Sequence, residues 1–210
     1  MASRPPRPTI VVDAFFPPAH HAWLLARCAR VYNLAVPADV AALRAGASTE
    51  VEALLWYGHG AVDGALLARF PRIRVVSNFG AGYDHVSCEA CTRMGLPVGH
   101  TPGALSETVA DHAMALLLAA ARDVVPGALR ARRGDFVRLN HNALGKQVSG
   151  AVLGIVGMGS IGAAVARRAA FGFGMQILYF NRRRKSAALE ERAGGAEFCA
   201  DLPTLLARSD

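Results

Sequence analysis

The stretch Leu153-Gly154-Ile155-Val156-Gly157-Met158-Gly159-Ser160-Ile161-Gly162 decides how this 210-residue chain is read. A short apolar run ends in G-x-G-x-x-G at Gly157, Gly159 and Gly162. In that pattern the first glycine turns the strand sharply. The second lets the backbone approach a pyrophosphate, and the third lets the next helix pack close to the strand. The start of that helix then offers unpaired N–H groups and a partial positive charge to phosphates. In a chain with 21 glycines the pattern needs its surroundings to mean anything. Residues 148–156 read as a strand, 160–170 as an alanine-rich helix and 175–180 as a second strand. Together they form a β-α-β unit of the size that dinucleotide binding requires. Gly157, Met158, Gly159, Ser160, Ile161 and Gly162 are therefore the expected cofactor loop.

The end of the second strand indicates which dinucleotide. Sites for NAD place Asp or Glu about 20 residues past the glycines, to accept hydrogen bonds from ribose hydroxyls. Here Ile177-Leu178-Tyr179-Phe180 runs into Asn181-Arg182-Arg183-Arg184-Lys185, with no carboxylate. A carboxylate at 181 would repel a ribose 2′-phosphate by about 4 kcal/mol per charge pair at an effective dielectric near 20. Asn181 is neutral and hydrogen-bonds, and the arginines present planar forks that match phosphate oxygens. The residues predict NADPH in preference to NADH, with Asn181, Arg182 and Arg183 in the cofactor site.

Hydrophobic residues make up 52% of the chain and charged residues 19%, a globular composition. The length suits one large domain or two small ones. The net charge of +7 is concentrated in 130–133, 167–168 and 182–185. Two of these clusters flank the glycine motif, so an anionic cofactor accounts for part of the excess. No aromatic-interleaved basic face appears, and no nucleic-acid partner is expected. Cys88-Glu89-Ala90-Cys91 has metal or redox spacing, but a zinc site needs a second ligand pair that Cys28 and Cys199 do not supply. Helical periodicity alone puts the two thiols near one face, so no metal is expected. The first eight residues lack the apolar core of a signal peptide. The longest apolar stretch, 113–121, is too short to span a bilayer. A cytoplasmic protein without a membrane partner is the expectation.

Before the glycine motif, strands at 9–12, 31–34, within 51–57, 73–77 and 96–98 alternate with helices at 19–28, 63–69 and 86–94. Such alternation implies a parallel sheet with helices on both faces, an α/β architecture. A longer helix follows from 106 to about 124, with Ser106 as its cap, Glu107 and Asp111 suiting its first turn, and Pro126 ending it. Residues 127–147 are polar and basic and read as a surface connection. The second α/β unit starts near Gly150 and shows two strands, at 151–156 and 176–180. Two lobes result, 1–103 and 104–210.

Four segments fall in the order and spacing of a known family: Asn78-Phe79-Gly80-Ala81-Gly82-Tyr83-Asp84, Thr101-Pro102-Gly103, Thr108-Val109-Ala110-Asp111-His112 and the 157–162 loop. From about residue 10 to 210 the chain resembles the D-isomer-specific 2-hydroxyacid dehydrogenases, in particular the NADPH-preferring glyoxylate/hydroxypyruvate reductase branch. The resemblance implies a flavodoxin-like substrate lobe over 1–103 and an incomplete Rossmann dinucleotide-binding lobe over 104–210. It implies hydride transfer from NADPH to the keto carbon of a small 2-oxo acid such as hydroxypyruvate or glyoxylate. The substrate carboxylate would be held by backbone N–H groups of Ala81 and Gly82, where small residues allow close approach to an anion. Thr108 would lie near the nicotinamide half of the cofactor. Trp56-Tyr57-Gly58 follows a neighbouring strand and reads either as cleft lining or as core.

The same resemblance implies a homodimer for the full-length protein, through the long helix and the 127–147 arm. It places the family's catalytic Arg, Glu and His beyond Asp210. None of His20, His21, His59, His85, His100, His112 and His141 falls in a matching motif. His85 and His112 lie near the expected cleft, and His112 reads as a packed or surface side chain. No catalytic residue is assigned. The expectation is a fragment or shortened product that binds NADPH without turning over substrate. Three other readings remain: a non-catalytic NADP(H)-binding protein, a relative oxidising phosphoglycerate, formate, phosphite or lactate-type substrates, and a basic nucleic-acid-binding domain.

Overall fold

The computed structural model describes residues 7–135 and 145–210. The chain divides into two compact units, Met1–Ala104 and Leu105–Asp210. In the first, strands β1 (Thr9–Val12), β2 (Arg30–Asn33), β3 (Ala53–Trp56), β4 (Val75–Asn78) and β5 (Val98–Gly99) form a parallel sheet in the order β2-β1-β3-β4-β5. This is the flavodoxin-like order, in which ligands bind beyond the carboxyl ends of the strands. The central strands are apolar on both sides because both faces are buried. Val11, Leu54 and Val76 pack with Tyr32, Leu67 and Phe70 on one face. Ile10 and Val12 pack with Phe16 and Leu24 on the other, as the period of two along a strand requires.

Helices α1 (Pro18–Arg27), α2 (Pro37–Arg44), α3 (Gly64–Leu67) and α4 (Cys88–Arg93) connect these strands. Pro18 and Pro37 open α1 and α2, where a missing N–H leaves no bond unmade. Asp63 and Ser87 cap α3 and α4 by accepting from the Leu66 and Ala90 N–H groups. Neither α2 nor the 3-10 turn Ala47–Glu50 has a counterpart in the sequence reading, although Pro37 is the local start signal for α2.

The second unit contains α5 (Ser106–Ala121), α6 (Val124–Arg132), β6 (Val152–Val156), α7 (Ser160–Phe173), β7 (Gln176–Phe180), α8 (Ala187–Arg192), β8 (Glu197–Cys199) and α9 (Leu202–Arg208). Its parallel sheet runs β6-β7-β8, the order of a half-Rossmann unit. It has three strands rather than the two expected. β8 is too short to carry a periodicity, and pairing with Leu178–Phe180 defines it. Ile155, Met158, Ala166, Ala169, Ile177 and Tyr179 form the core on one face. Leu178, Cys199 and Leu205 close the other.

The long helix differs from expectation at both ends. Leu105, not Ser106, occupies the N-cap, and no side chain bonds there. The helix stops at Ala121, Asp123 adopts a left-handed backbone (φ 52°), and α6 departs at 60°. Pro126 does not end a helix; it is the third residue of α6, where the N–H has no intrahelical acceptor. Glu107 and Asp111 serve less as dipole partners than as cross-links from α5 to α7. Arg167 Nη2 lies 2.8 Å from Glu107 Oε2, and Arg168 Nε donates to Asp111 Oδ1 at 2.7 Å. The 127–147 connection is helical as far as Arg132, and its 136–144 part, His141 included, lies outside the described residues. Among the described residues no single helix is long and apolar enough to cross a membrane.

Leu54 is fully buried at the centre of the first sheet. Leu54→Ala is expected to cost about 2–5 kcal/mol through lost burial and the cavity left behind, read as a lower urea midpoint.

Candidate functional site

The three motif glycines do three different jobs. Gly157 leaves β6 with φ +99°, a conformation that strains any residue with a side chain, and its N–H donates to the Phe180 carbonyl at 2.9 Å. Gly162 sits one turn into α7, where a Cβ would collide with the Gly157 carbonyl oxygen. Gly159 is the N-cap of α7, and a Cβ there would meet nothing within 4 Å. Its open face is the place where a ligand backbone or phosphate can approach. Ser160 and Ile161 are exposed at the helix start, and their N–H groups precede the first intrahelical acceptor. Met158 plays another part: its side chain is fully buried in the core, and its N–H donates to Asn181 Oδ1 at 3.0 Å. With that oxygen engaged, Asn181 has its NH2 group to offer a ligand.

Gly159, Asn181, Arg182, Arg183 and Lys185 line one cavity of about 680 Å3. Arg184 belongs to the fold instead. Its Nε and Nη2 donate to Glu190 Oε1 and Oε2, each at 2.9 Å. Glu190 also accepts from the Tyr179 hydroxyl at 2.6 Å, and that hydroxyl accepts the Lys185 N–H at 2.9 Å. Glu190 is buried, and the Arg184 guanidinium followed by the Tyr179 hydroxyl lowers its carboxyl from 4.5 to about 2. Burial, reinforced by Glu190, pushes the Tyr179 phenol up. The basic run thus splits into one structural arginine and three cations facing the cavity. These residues fit a dinucleotide: glycine leaves room at a helix N-terminus, and cations without a free carboxylate stand where the ribose would lie.

In the first unit, buried Asn78 ends β4 and organises the loop after it. Its Nδ2 donates to the carbonyls of Gly80 (3.0 Å) and Gly82 (2.8 Å), and its Oδ1 pairs with His85 Nε2 at 2.9 Å. An amide oxygen only accepts, so His85 donates through Nε2. His100 Nδ1 likewise donates to the Ala81 carbonyl at 2.9 Å. All three carbonyls of 80–82 are held. Among the described residues the Ala81 and Gly82 N–H groups have no partner, which leaves them for an anion.

Trp56 and its two neighbours are held differently. Trp56 is buried, with its indole N–H donated to the Gly60 carbonyl at 2.9 Å, and is core. Tyr57 and Gly58 donate their N–H groups to Asp13 Oδ1 and Oδ2, both at 2.7 Å, and a Cβ on Gly58 would lie 2.6 Å from Asp13 Oδ2. Tyr57 is exposed and meets Phe16 and Phe79 at ring distances of 5.5 and 5.4 Å. Thr108 and His112 are exposed on α5, and Thr108 is not part of the cavity lining around Gly159. Burial raises the Cys91 thiol, with Cys88 a smaller cause, and Cys88 is exposed. Among the described residues no three His, Cys, Asp or Glu side chains are placed to hold a metal.

Asp13, Asn78, Tyr179 and Glu190 are the site-forming residues that the sequence reading assigned no role. Asp13 acts on residues 44 and 45 positions away, which no local pattern shows. Asn78 stands in a motif whose visible signal is its small residues, Gly80, Ala81 and Gly82. Glu190 looks like any acid on an exposed helix.

Comparison with known proteins agrees with this geometry. Residues 114–210 match the D-isomer specific 2-hydroxyacid dehydrogenase, NAD binding domain. Glyoxylate/hydroxypyruvate reductase B of Klebsiella pneumoniae is 47% identical over 150 residues, 71% of this chain and 46% of that protein. Glyoxylate reductase of Pyrococcus furiosus is 43% identical over 166 residues, covering 77% of this chain and 48% of the relative. The 2-hydroxyacid dehydrogenase structure from Ketogulonicigenium vulgare superimposes with a TM-score of 0.85 at 32% identity, covering 98% of this chain and 62% of that one. The chain spans about half the length of the curated relatives it matches.

Two substitutions separate the glycine roles. Gly162→Ala is expected to destabilise the protein, because a backbone carbonyl must move. Gly159→Ala is expected to keep the melting temperature while weakening dinucleotide binding about tenfold or more, because the methyl fills the ligand's approach. Glu190 generates a pH prediction. Its depressed pKa contributes stability in full above about 4.5, and that contribution is lost as pH falls through about 2. Melting curves of Glu190→Gln between those limits should be flatter with pH than those of the wild type.

Proposed function

We propose that this chain, which belongs to the D-isomer-specific 2-hydroxyacid dehydrogenase family, forms the cofactor site and substrate-carboxylate loop of an NADPH-dependent reductase of small 2-oxo acids, hydroxypyruvate and glyoxylate among them. The observation that carries this reading is the single cavity lined by Gly159, Asn181, Arg182, Arg183 and Lys185, whose one nearby buried acid, Glu190, is already paired with Arg184. The names of the reductase relatives support the substrate class.

In this reading residues 1–103 serve the substrate and 104–210 the cofactor. The N–H groups at the start of α7 hold the pyrophosphate, aided by the helix dipole. Gly157, Met158 and Gly162 shape that turn, and Ser160 and Ile161 present its amides. Asn181 donates its NH2, and Arg182 and Arg183 bind the 2′-phosphate. Thr108 stands toward the nicotinamide half. The Ala81 and Gly82 N–H groups bind the substrate carboxylate, and Asn78 keeps the loop carbonyls turned away from it. NADPH, when bound, supplies the hydride for the keto carbon. The family's proton donor matches none of the histidines here, so residues 1–210 are expected to bind NADPH without oxidising it on addition of hydroxypyruvate. Full-length protein would be a homodimer.

Fluorescence titration of NADPH and NADH tests the cofactor preference. NADPH should bind at least about tenfold more tightly, the worth of one charge-assisted hydrogen bond. Arg182→Ala and Arg183→Ala should each weaken NADPH by about tenfold while leaving NADH nearly unchanged. Equal dissociation constants in the wild type would exclude the NADPH assignment.

A further inference from the structure

We propose that Glu190 is a positioning residue for 2′-phosphate recognition: it holds Arg184, and through Tyr179 the Lys185 amide, so that the 181–185 loop turns Arg182, Arg183 and Lys185 into the cavity. This rests on the NADPH reading and specifies what enforces it.

Four cations within residues 182–185 repel one another, and an unrestrained basic loop would spread into solvent. The structure pins it at both ends. At the front, the Gly157 N–H donates to the Phe180 carbonyl and the Met158 N–H to Asn181 Oδ1. At the back, the Tyr179 hydroxyl accepts the Lys185 N–H while donating to Glu190. Glu190 takes Arg184 in a two-point pair, which fixes the plane of the guanidinium as well as its position. Its side chain is 10% exposed and that of Arg184 65%, so the acid is anchored and the arginine comes to it. The Glu190 carbonyl separately accepts the Gly195 and Ala196 N–H groups, a backbone role that side-chain substitution leaves alone.

The clamp makes a prediction opposite in sign to simple electrostatics. Removing a negative charge beside an anion site should tighten anion binding by Coulomb's law. Removing the clamp should loosen it. The probes are adenosine 2′,5′-bisphosphate and 5′-AMP, which differ only in the 2′-phosphate. Glu190→Gln is expected to weaken the bisphosphate about tenfold, the size of one lost charge-assisted bond, and to leave AMP within about twofold. The double variant Glu190→Gln, Arg184→Ala should add little further loss, because both changes break one unit.

Tighter or unchanged bisphosphate binding by Glu190→Gln overturns the clamp, as does equal weakening of both probes, which would mark a general structural role. A large extra loss in the double variant also overturns it, since Arg184 would then be a direct phosphate ligand. If Glu190→Gln does not fold, Tyr179→Phe carries the test. It frees only the Lys185 amide and one Glu190 bond, and a selective loss of bisphosphate affinity is expected, with no loss overturning the proposal. A wild type that does not distinguish the two probes would instead remove the NADPH reading on which the clamp rests.

Discussion

The second unit depends on one close approach, that of α7 to the carbonyl of Gly157. No side chain fits between them, so Gly162 has none, and the strand must turn through a left-handed residue, Gly157. Once that contact is made, the start of α7 lies beside the carboxyl end of β6, with its N–H groups directed beyond the sheet. Met158 is drawn into the core between Ile155 and Tyr179's cluster, and its amide is thereby aimed at Asn181. The 157–162 loop and the end of β7 are in this way a single structure, joined by the Gly157–Phe180 and Met158–Asn181 hydrogen bonds.

Charge is distributed by the same economy of partners. Of the arginine clusters behind the +7 net charge, Arg167 and Arg168 are matched by Glu107 and Asp111, and Arg184 by Glu190. The exposed pairs between α5 and α7 contribute little each in water. The buried Glu190 differs because its carboxylate has hydrogen-bond partners at both oxygens. Among the described residues, Arg182, Arg183 and Lys185 around the cavity form no ion pair, and neither do Arg130, Arg132 and Arg133. A net charge read from composition cannot separate these populations.

The first unit shows the complementary device. Amides are left available there by holding the neighbouring carbonyls. Asn78 and His100 engage the carbonyls of 80–82, and among the described residues the Ala81 and Gly82 N–H groups have no partner. Asp13 does the reverse at the end of β3, where its carboxylate accepts the N–H groups of Tyr57 and Gly58. Both loops follow the carboxyl ends of parallel strands, the position where such sheets take their ligands.

Sequence by itself determined the α/β class, the strand–helix alternation, the glycine turn and the family resemblance, because each rests on local pattern: apolar runs, glycine spacing, absence of a carboxylate after β7. It misjudged features that depend on what lies opposite. Pro126 reads as a stop, yet a preceding left-handed Asp123 makes it a start. β8 is three residues long and exists only because β7 is beside it. The run 182–185 presents four equivalent cations in one dimension. Tertiary structure alone decided that Arg184 turns to Glu190 while its neighbours line the cavity, because the choice depends on a buried carboxylate and a tyrosine hydroxyl brought together by the packing of α8 on β7.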